Sequence, residues 1–258
     1  MTLKRLAIIC ALGTFTLFAG LILSVFYFYR TDTLVEIMAA DRTWYSIRLS
    51  IMSATIATIF SVVIAVPSAY ALSRYDFHGK TLVDTILELP MIVSPAALGA
   101  MLLVFFNNPF GEWIQKHGVQ FVFTQNGIIL AQFVTTVGVA TRLVKAVLDE
   151  IPKRHEDVAR SLGATPAVAF FSITLPMCRK AILVATILTW AKAFGEFGAT
   201  ITIAGTMAMN TETLPIAIYM MLATAEIERT VILILIITAI GLGVLYVVRL
   251  LLKKEMDA

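Results

Sequence analysis

Few residues in this 258-residue chain have types and spacings that could do chemistry. His78, His117 and His155 fall in three separate loops, without the spacing that brings ligands to one metal ion. The stretch HGKT, residues 78–81, mimics the end of a phosphate-cradling loop, G-x-x-x-x-G-K-[ST], but position 74, where the first glycine would stand, is arginine. Lys192 and Glu196 stand four apart inside an apolar stretch, on one face of a continuous helix, where they can neutralise each other. No catalytic group, no metal site and no cofactor held by this chain is expected from these. What remains is EDVARSLGATPAVAFFSITLP, residues 156–176, which sets acid, base and Gly-Ala-Thr-Pro in the middle of an apolar chain.

The elements that must position this stretch are membrane helices. Mean hydropathy is +0.88, and charged residues make up 14% of the chain, against roughly 25% in a soluble domain. A bilayer core takes about 20 apolar residues per helix. Leu6–Tyr29 and Leu49–Ser73 are charge-free runs of 24 and 25 residues, and Leu89–Phe106 and Val231–Val248 are charge-free runs of 18. Gly127–Leu148, with Arg142 and Lys145 near one end, and Pro176–Gly205, with Lys192 and Glu196 inside, complete six expected spans. The first run is too long for a signal-peptide core and no A-x-A site follows it, so it reads as a retained helix.

Lys and Arg in the loops set the orientation. With the N-terminus inside, fourteen fall on the cytoplasmic side (Lys4, Arg5, Arg74, Lys80, Arg142, Lys145, Lys153, Arg154, Arg160, Arg179, Lys180, Arg249, Lys253, Lys254) and five outside (Arg30, Arg42, Arg48, Lys116, Arg229). Both termini are therefore expected in the cytoplasm of a multi-pass cell-membrane protein, with lipid around it and no nucleic-acid partner. Cys10 and Cys178 fall toward the reducing side, where no disulfide is expected.

That topology places residues 149–176 in the largest cytoplasmic loop. Pro152 suits the first turn of a helix capped by Asp149 or Glu150, and Gly163 is placed to end it. Val168, Phe170, Phe171 and Ile173 start a second helical piece, and Pro176 precedes the fifth span. Such a unit can lie on a membrane or dock into another protein. Glu156 and Asp157 at its centre favour a protein partner over anionic headgroups.

The loop resembles the coupling motif of the membrane subunits of ABC importers, E-A-A, three residues, G, nine residues, I-x-L-P. Asp157-Val158-Ala159 stands at E-A-A, Gly163 at the glycine, and Ile173-Thr174-Leu175-Pro176 at I-x-L-P, with all spacings kept. Asp157 and Val158 depart from the pattern, although Glu156 lies next door. The resemblance implies that Glu156, Asp157, Val158, Ala159, Arg160, Gly163, Ile173, Leu175 and Pro176 form an ATPase-coupling handle. Small Ala159 and Gly163 would allow close approach, and Asp157 and Arg160 would pair across the interface.

WAKAFGEFGATITIAG, residues 190–205, resembles the fifth span of permeases for tetrahedral oxyanions. TETLPIAIYMMLATAE, residues 211–226, is similar to the extracellular loop of the molybdate and tungstate branch, and PSAYALSRYDFHGK (67–80) and LPMIVSPAALG (89–99) also resemble this family. Sulfate permeases share much of the fold and part of G-E-F-G. The resemblance implies an all-α, six-helix type I importer permease fold that functions as a homodimer. It also implies two ABC ATPase subunits that use ATP below and an oxyanion-binding protein above. Expected domains are 1–45 (first helix and external loop), 46–250 (transmembrane domain) and 251–258 (cytoplasmic tail).

Pro95, Lys192, Glu196, Gly198, Thr200 and Thr202 are candidate pathway or gate residues. Two readings of the Lys192–Glu196 pair stand, helix packing or pathway. Pro67, Pro90 and Pro95 either kink spans two and three or mark a broken, pathway-lining segment. A secondary transporter should show matching half-repeats with paired breaks, and none is visible. A membrane-embedded enzyme would need convergent catalytic groups that the spans lack.

Overall fold

The computed structural model describes residues 3–256. Its helices are α1 (Leu3–Val25), α2 (Thr31–Ala39), α3 (Asp41–Arg74), α4 (Lys80–Ile86), α5 (Leu89–Ile92), α6 (Pro95–Phe106), α7 (Pro109–His117), α8 (Gln125–Glu150), α9 (Arg154–Ser161), α10 (Pro166–Ala169), α11 (Leu175–Phe194), α12 (Gly198–Ala204), α13 (Leu214–Ala223) and α14 (Ile227–Met256). Among the described residues, five helical runs are long and apolar enough to span a bilayer, and six if the bent pair from Lys80 to Phe106 counts as one. The expected tail, 251–258, begins inside α14, and its last two residues lie outside the described range.

The centre of the bundle is α3 against α8, with α11 packed on both. Lipid tails are as apolar as leucine, so burial of grease drives little helix association in a membrane; close backbone approach does. The sequence supplies it. The buried face of α3 carries Ser46, Ser50, Ser53, Ala54, Ala57, Ser61, Ala65 and Ala69, and α8 answers with Ala131, Thr135, Thr136, Gly138 and Ala140. Three polar contacts hold the two helices parallel and in register: Gln125 Nε2 to Tyr45 Oη (2.7 Å), Ser61 Oγ with Thr136 Oγ1 (2.9 Å), and Ser73 Oγ to Asp149 Oδ1 (2.5 Å).

Two expected spans are broken. The run Leu89–Phe106 is not one straight helix, because the chain bends by 114° between α4–α5 and α6. Val93 is extended, Ser94 caps α6 by accepting from the Ala97 N–H (3.3 Å), and Pro95 begins the helix. Pro95 has no N–H to bond back across the break, and it disfavours helical geometry at Ser94. Pro67, by contrast, sits inside an unbroken α3. The fifth span also stops, at Phe194, and restarts at Gly198.

At the Asp41 end of the bundle, residues 205–213 fold inward. Thr211, Glu212 and Thr213 are buried, and the Glu212 carboxylate is gripped by the Arg42 guanidinium through two bonds of 2.6 and 2.7 Å. The stretch read as an external loop, 211–226, is largely the helix α13. Helix α1 stands apart, with none of its residues buried.

Candidate functional site

The polar stretch forms a short helix held at the Arg74 end of the bundle. Helix α8 runs through Asp149 to Glu150, so neither residue caps the next helix as expected; Asp149 instead accepts from Ser73 and Lys145. Pro152 lies in the turn before α9, which starts at Arg154 rather than at Pro152. Gly163 ends the unit as expected, with φ +94, a conformation that strains any residue carrying a Cβ. The Ala164 N–H reaches back to the Ala159 carbonyl (3.1 Å). Thr165 then caps α10, accepting from the Val168 N–H (3.3 Å).

From α10 the helix continues without a break into α11, so Pro176 lies inside a helical run from Pro166 to Phe194 rather than before it. A π turn over Phe170–Thr174 precedes the proline. Pro176 cannot donate to Ser172 and its ring would crowd that carbonyl, so a wider turn here relieves the conflict.

Glu156 is the buried member of α9. Its Oε1 accepts from Arg74 Nε (2.9 Å) and from Thr174 Oγ1 (2.8 Å), and its Oε2 accepts from Tyr70 Oη (2.8 Å). Arg74 also donates through Nη2 to the Ile151 carbonyl (3.0 Å). Both side chains are nearly shut off from solvent, at 5% and 10% exposure. Burial pushes the Glu156 carboxyl up, but the bonds from Thr174, Tyr70 and Arg74 outweigh it and hold it below the usual carboxylate range.

The remaining expected handle residues divide by face. Asp157, Val158, Arg160, Gly163 and Pro176 are exposed; Ala159, Ile173 and Leu175 are half-buried. Leu162, at 85% exposure, and Phe171, at 64%, add apolar surface beside them. Sequence reasoning missed Tyr70, Arg74 and Thr174 as partners of Glu156. A signal existed: Tyr70 and Arg74 are four apart at the end of an apolar run, on one helical face.

The candidate pathway residues gather where the two broken spans meet. Gly99 on α6 faces α12 so closely that a Cβ would lie 2.7 Å from the Ala199 carbonyl oxygen and 2.8 Å from its Cα. Gly198 faces α6 in return, its Cβ position 2.9 Å from the Ala96 nitrogen and 3.1 Å from Pro95 Cβ. Lys192 and Glu196 do not share a helical face, because α11 ends between them. Glu196 is buried and its Oε1 accepts from the Ala199 N–H (2.9 Å), capping the start of α12. Thr200 is fully buried with its hydroxyl unpartnered, whereas Thr202 donates to the Gly198 carbonyl (2.7 Å). A groove of about 380 Å³ in the bend of span three is lined by Leu87, Pro90, Leu98, Phe105 and Val134 among other apolar groups, and offers nothing to an anion. Glu88 lies at the mouth of that bend and pairs with Arg142, which also reaches Asp84 (3.4 Å).

Residues 37–256 match the family described as "Binding-protein-dependent transport system inner membrane component". The chain is 34% identical over 190 residues to the molybdenum transport system permease protein ModB of Escherichia coli (strain K12), covering 71% of this chain and 82% of that protein. It is 31% identical over 265 residues to the sulfate transport system permease protein CysW of Synechocystis sp. (strain ATCC 27184 / PCC 6803 / Kazusa), covering 99% and 94%. In fold it is similar to a chain of a bacterial ABC transporter involved in the import of alginate, with a TM-score of 0.78 at 16% identity, covering 97% of this chain and 96% of the other. An all-helical architecture with two broken spans, a family match over most of its length and these relatives together make this chain a member of the family of inner-membrane permease subunits of binding-protein-dependent ABC importers.

Proposed function

We propose that this chain forms, with a second copy of itself, the membrane pathway of an ATP-driven importer of tetrahedral oxyanions of the molybdate and tungstate class. The two copies work above two cytoplasmic ATPase subunits and beneath an extracytoplasmic anion-binding protein. The observation that carries the coupling part is the geometry of residues 154–176. One acid of α9 is buried against the bundle, while Asp157, Val158, Arg160 and Leu162 are presented outward, the arrangement of a knob for another protein. The bias of Lys and Arg toward the same end supports a cytoplasmic location for α9 and both termini.

In this reading the ATPase subunits bind and hydrolyse ATP, and this chain holds no nucleotide. Their closure moves the two knobs together and opens the pathway outward; the anion passes from the binding protein, and hydrolysis restores the inward-facing state. Pro95, Lys192, Gly198 and Thr202 stand along the pathway, whereas Thr200, fully buried within one copy, sits behind it. Glu196 caps α12, which occupies one of its carboxylate oxygens. The resemblance of residues 190–226 to the molybdate and tungstate branch supports that cargo. Sulfate is the second reading, favoured by the similarity to the sulfate permease that runs nearly end to end.

The test is ATP hydrolysis by the native complex, co-purified through a tag on this chain and placed in liposomes with its binding protein. Stimulation by molybdate and tungstate but not sulfate is expected. Stimulation by sulfate alone would change the cargo and keep the machine. Absence of any co-purifying ATPase would overturn the reading.

A further inference from the structure

We propose that Arg74 and Glu156 form the rigid joint through which motion of α9 reaches α3 and α8, so that Arg74 is a positioning residue for coupling although it lies outside the handle. This rests on the coupling role given to residues 154–176 above.

Along the chain, α9 is attached by two pliable connections. Toward α8 there is the three-residue turn Ile151–Lys153; toward α11 there are the left-handed Gly163 and the π turn over Phe170–Thr174. A push on α9 would be partly lost in either. The Glu156 carboxylate bypasses both through its bonds from Tyr70 and Arg74 on α3, and its third partner, Thr174, is the last residue of the π turn, where the fifth span begins. Arg74 extends the joint to the end of α8 through the Ile151 carbonyl, and its neighbour Ser73 bonds Asp149. Four segments therefore meet on one ion pair. α3 and α8 are the helices whose small-residue faces make the centre of the bundle, so a displacement delivered to their ends moves the packed core as a body.

An ion pair that only glued the fold would also be buried, and the test must separate the two roles. Glu156→Gln and Arg74→Met would be made in the full complex with its ATPase and binding protein in liposomes. Co-purified ATPase, basal hydrolysis and stimulation by anion-loaded binding protein would each be measured. In Arg74→Met, which lies outside the handle, association and basal hydrolysis should stay within about twofold of the parent, while stimulation falls about tenfold in both variants. The double variant should be no worse than the poorer single one, because the two residues act as one unit. Arg74→Lys, which keeps charge without the planar fork, should recover part of the stimulation.

Unchanged stimulation, or stimulation lost only in step with association, would overturn the proposal. If the variants fail to assemble, a distance measurement with Arg74 and Glu156 left intact decides. With Cys10 replaced by serine, spin labels at exposed His155 on α9 and exposed Val63 on α3 should keep their separation within about 2 Å between nucleotide-free and ATP-bound complexes, as a rigid body would. A larger change would show that α9 moves independently of α3. A wild-type complex that brings down no ATPase would instead remove the coupling role on which the joint rests, an outcome distinct from loss of the joint alone.

Discussion

Gly99→Ala tests how closely the two broken spans meet. The added methyl would lie 2.7 Å from the Ala199 carbonyl oxygen, 2.8 Å from Ala199 Cα and 2.9 Å from Thr202 Cβ. Two of these are backbone atoms, so no side chain can rotate away and α12 itself must shift. Overpacking of this kind costs about 1–3 kcal/mol. Alanine also favours a helix over glycine by about 1 kcal/mol, which would mask part of the cost. Gly241→Ala in α14 is the control, since its new methyl meets nothing within 4 Å and gains only the helical preference. The difference between the two variants isolates the steric cost. At roughly 2–4 °C per kcal/mol for a chain of this size, Gly99→Ala should melt about 2–12 °C below Gly241→Ala. The assay is thermal unfolding of the purified chain in detergent, followed by tryptophan fluorescence and by size exclusion. If Gly99→Ala melts level with or above Gly241→Ala, the close approach of α6 and α12 is wrong, and with it the convergence of the two breaks.

Three further outcomes are expected. Gly163→Ala places a Cβ at φ +94 with open space around it; the strain of about 1–2 kcal/mol is therefore conformational, and it should loosen ATPase association in pull-down about 5- to 30-fold without changing the yield of inserted chain. Because the folded Glu156 carboxyl lies below its unfolded value, its contribution to stability is present above the unfolded value, near pH 4.3, and is lost as pH falls through the lower folded value. Melting temperature should therefore hold from neutral pH down to about 5 and then fall on further acidification, with a shallower acid limb in Glu156→Gln. Lys192→Met should leave the melting temperature nearly unchanged, within about 0.5 kcal/mol, because α11 ends at Phe194 and the lysine does not share a helical face with Glu196, yet it should depress oxyanion-stimulated hydrolysis; a large loss of stability would assign Lys192 to helix packing.

How much of this was legible in the sequence differs from element to element. The spans at 6–29, 49–73 and 231–248 followed from unbroken apolar runs, since only hydrocarbon length and the absence of charge decide them. The short helix ended by Gly163 was legible too, because the glycine and the proline-flanked polar stretch around it are local signals. The breaks were half-legible. Pro95 marked a disruption in span three, but a proline equally occurs inside an unbroken helix, as Pro67 does in α3. Which outcome holds depends on what packs against the turn. Gly138 on α8 stands against the Leu87 carbonyl, and Gly99 against α12, and these approaches hold the bend.

The sequence by itself determined that the chain is a bundle of membrane helices with a short polar helix at one end, because composition and local spacing act over a few residues. Only the tertiary structure decided which charge does what. Glu156 and Asp157 are adjacent acids with the same local preferences, and the 100° turn between successive helical residues buries one and exposes the other. Lys192 and Glu196 have the spacing of an ion pair, and the end of α11 at Phe194 separates them. Arg74, 82 positions from Glu156, becomes its partner because α3 and α8 run parallel in the register set at Ser61–Thr136 and Ser73–Asp149. Such pairings depend on how whole helices pack, and no short window of sequence contains that information.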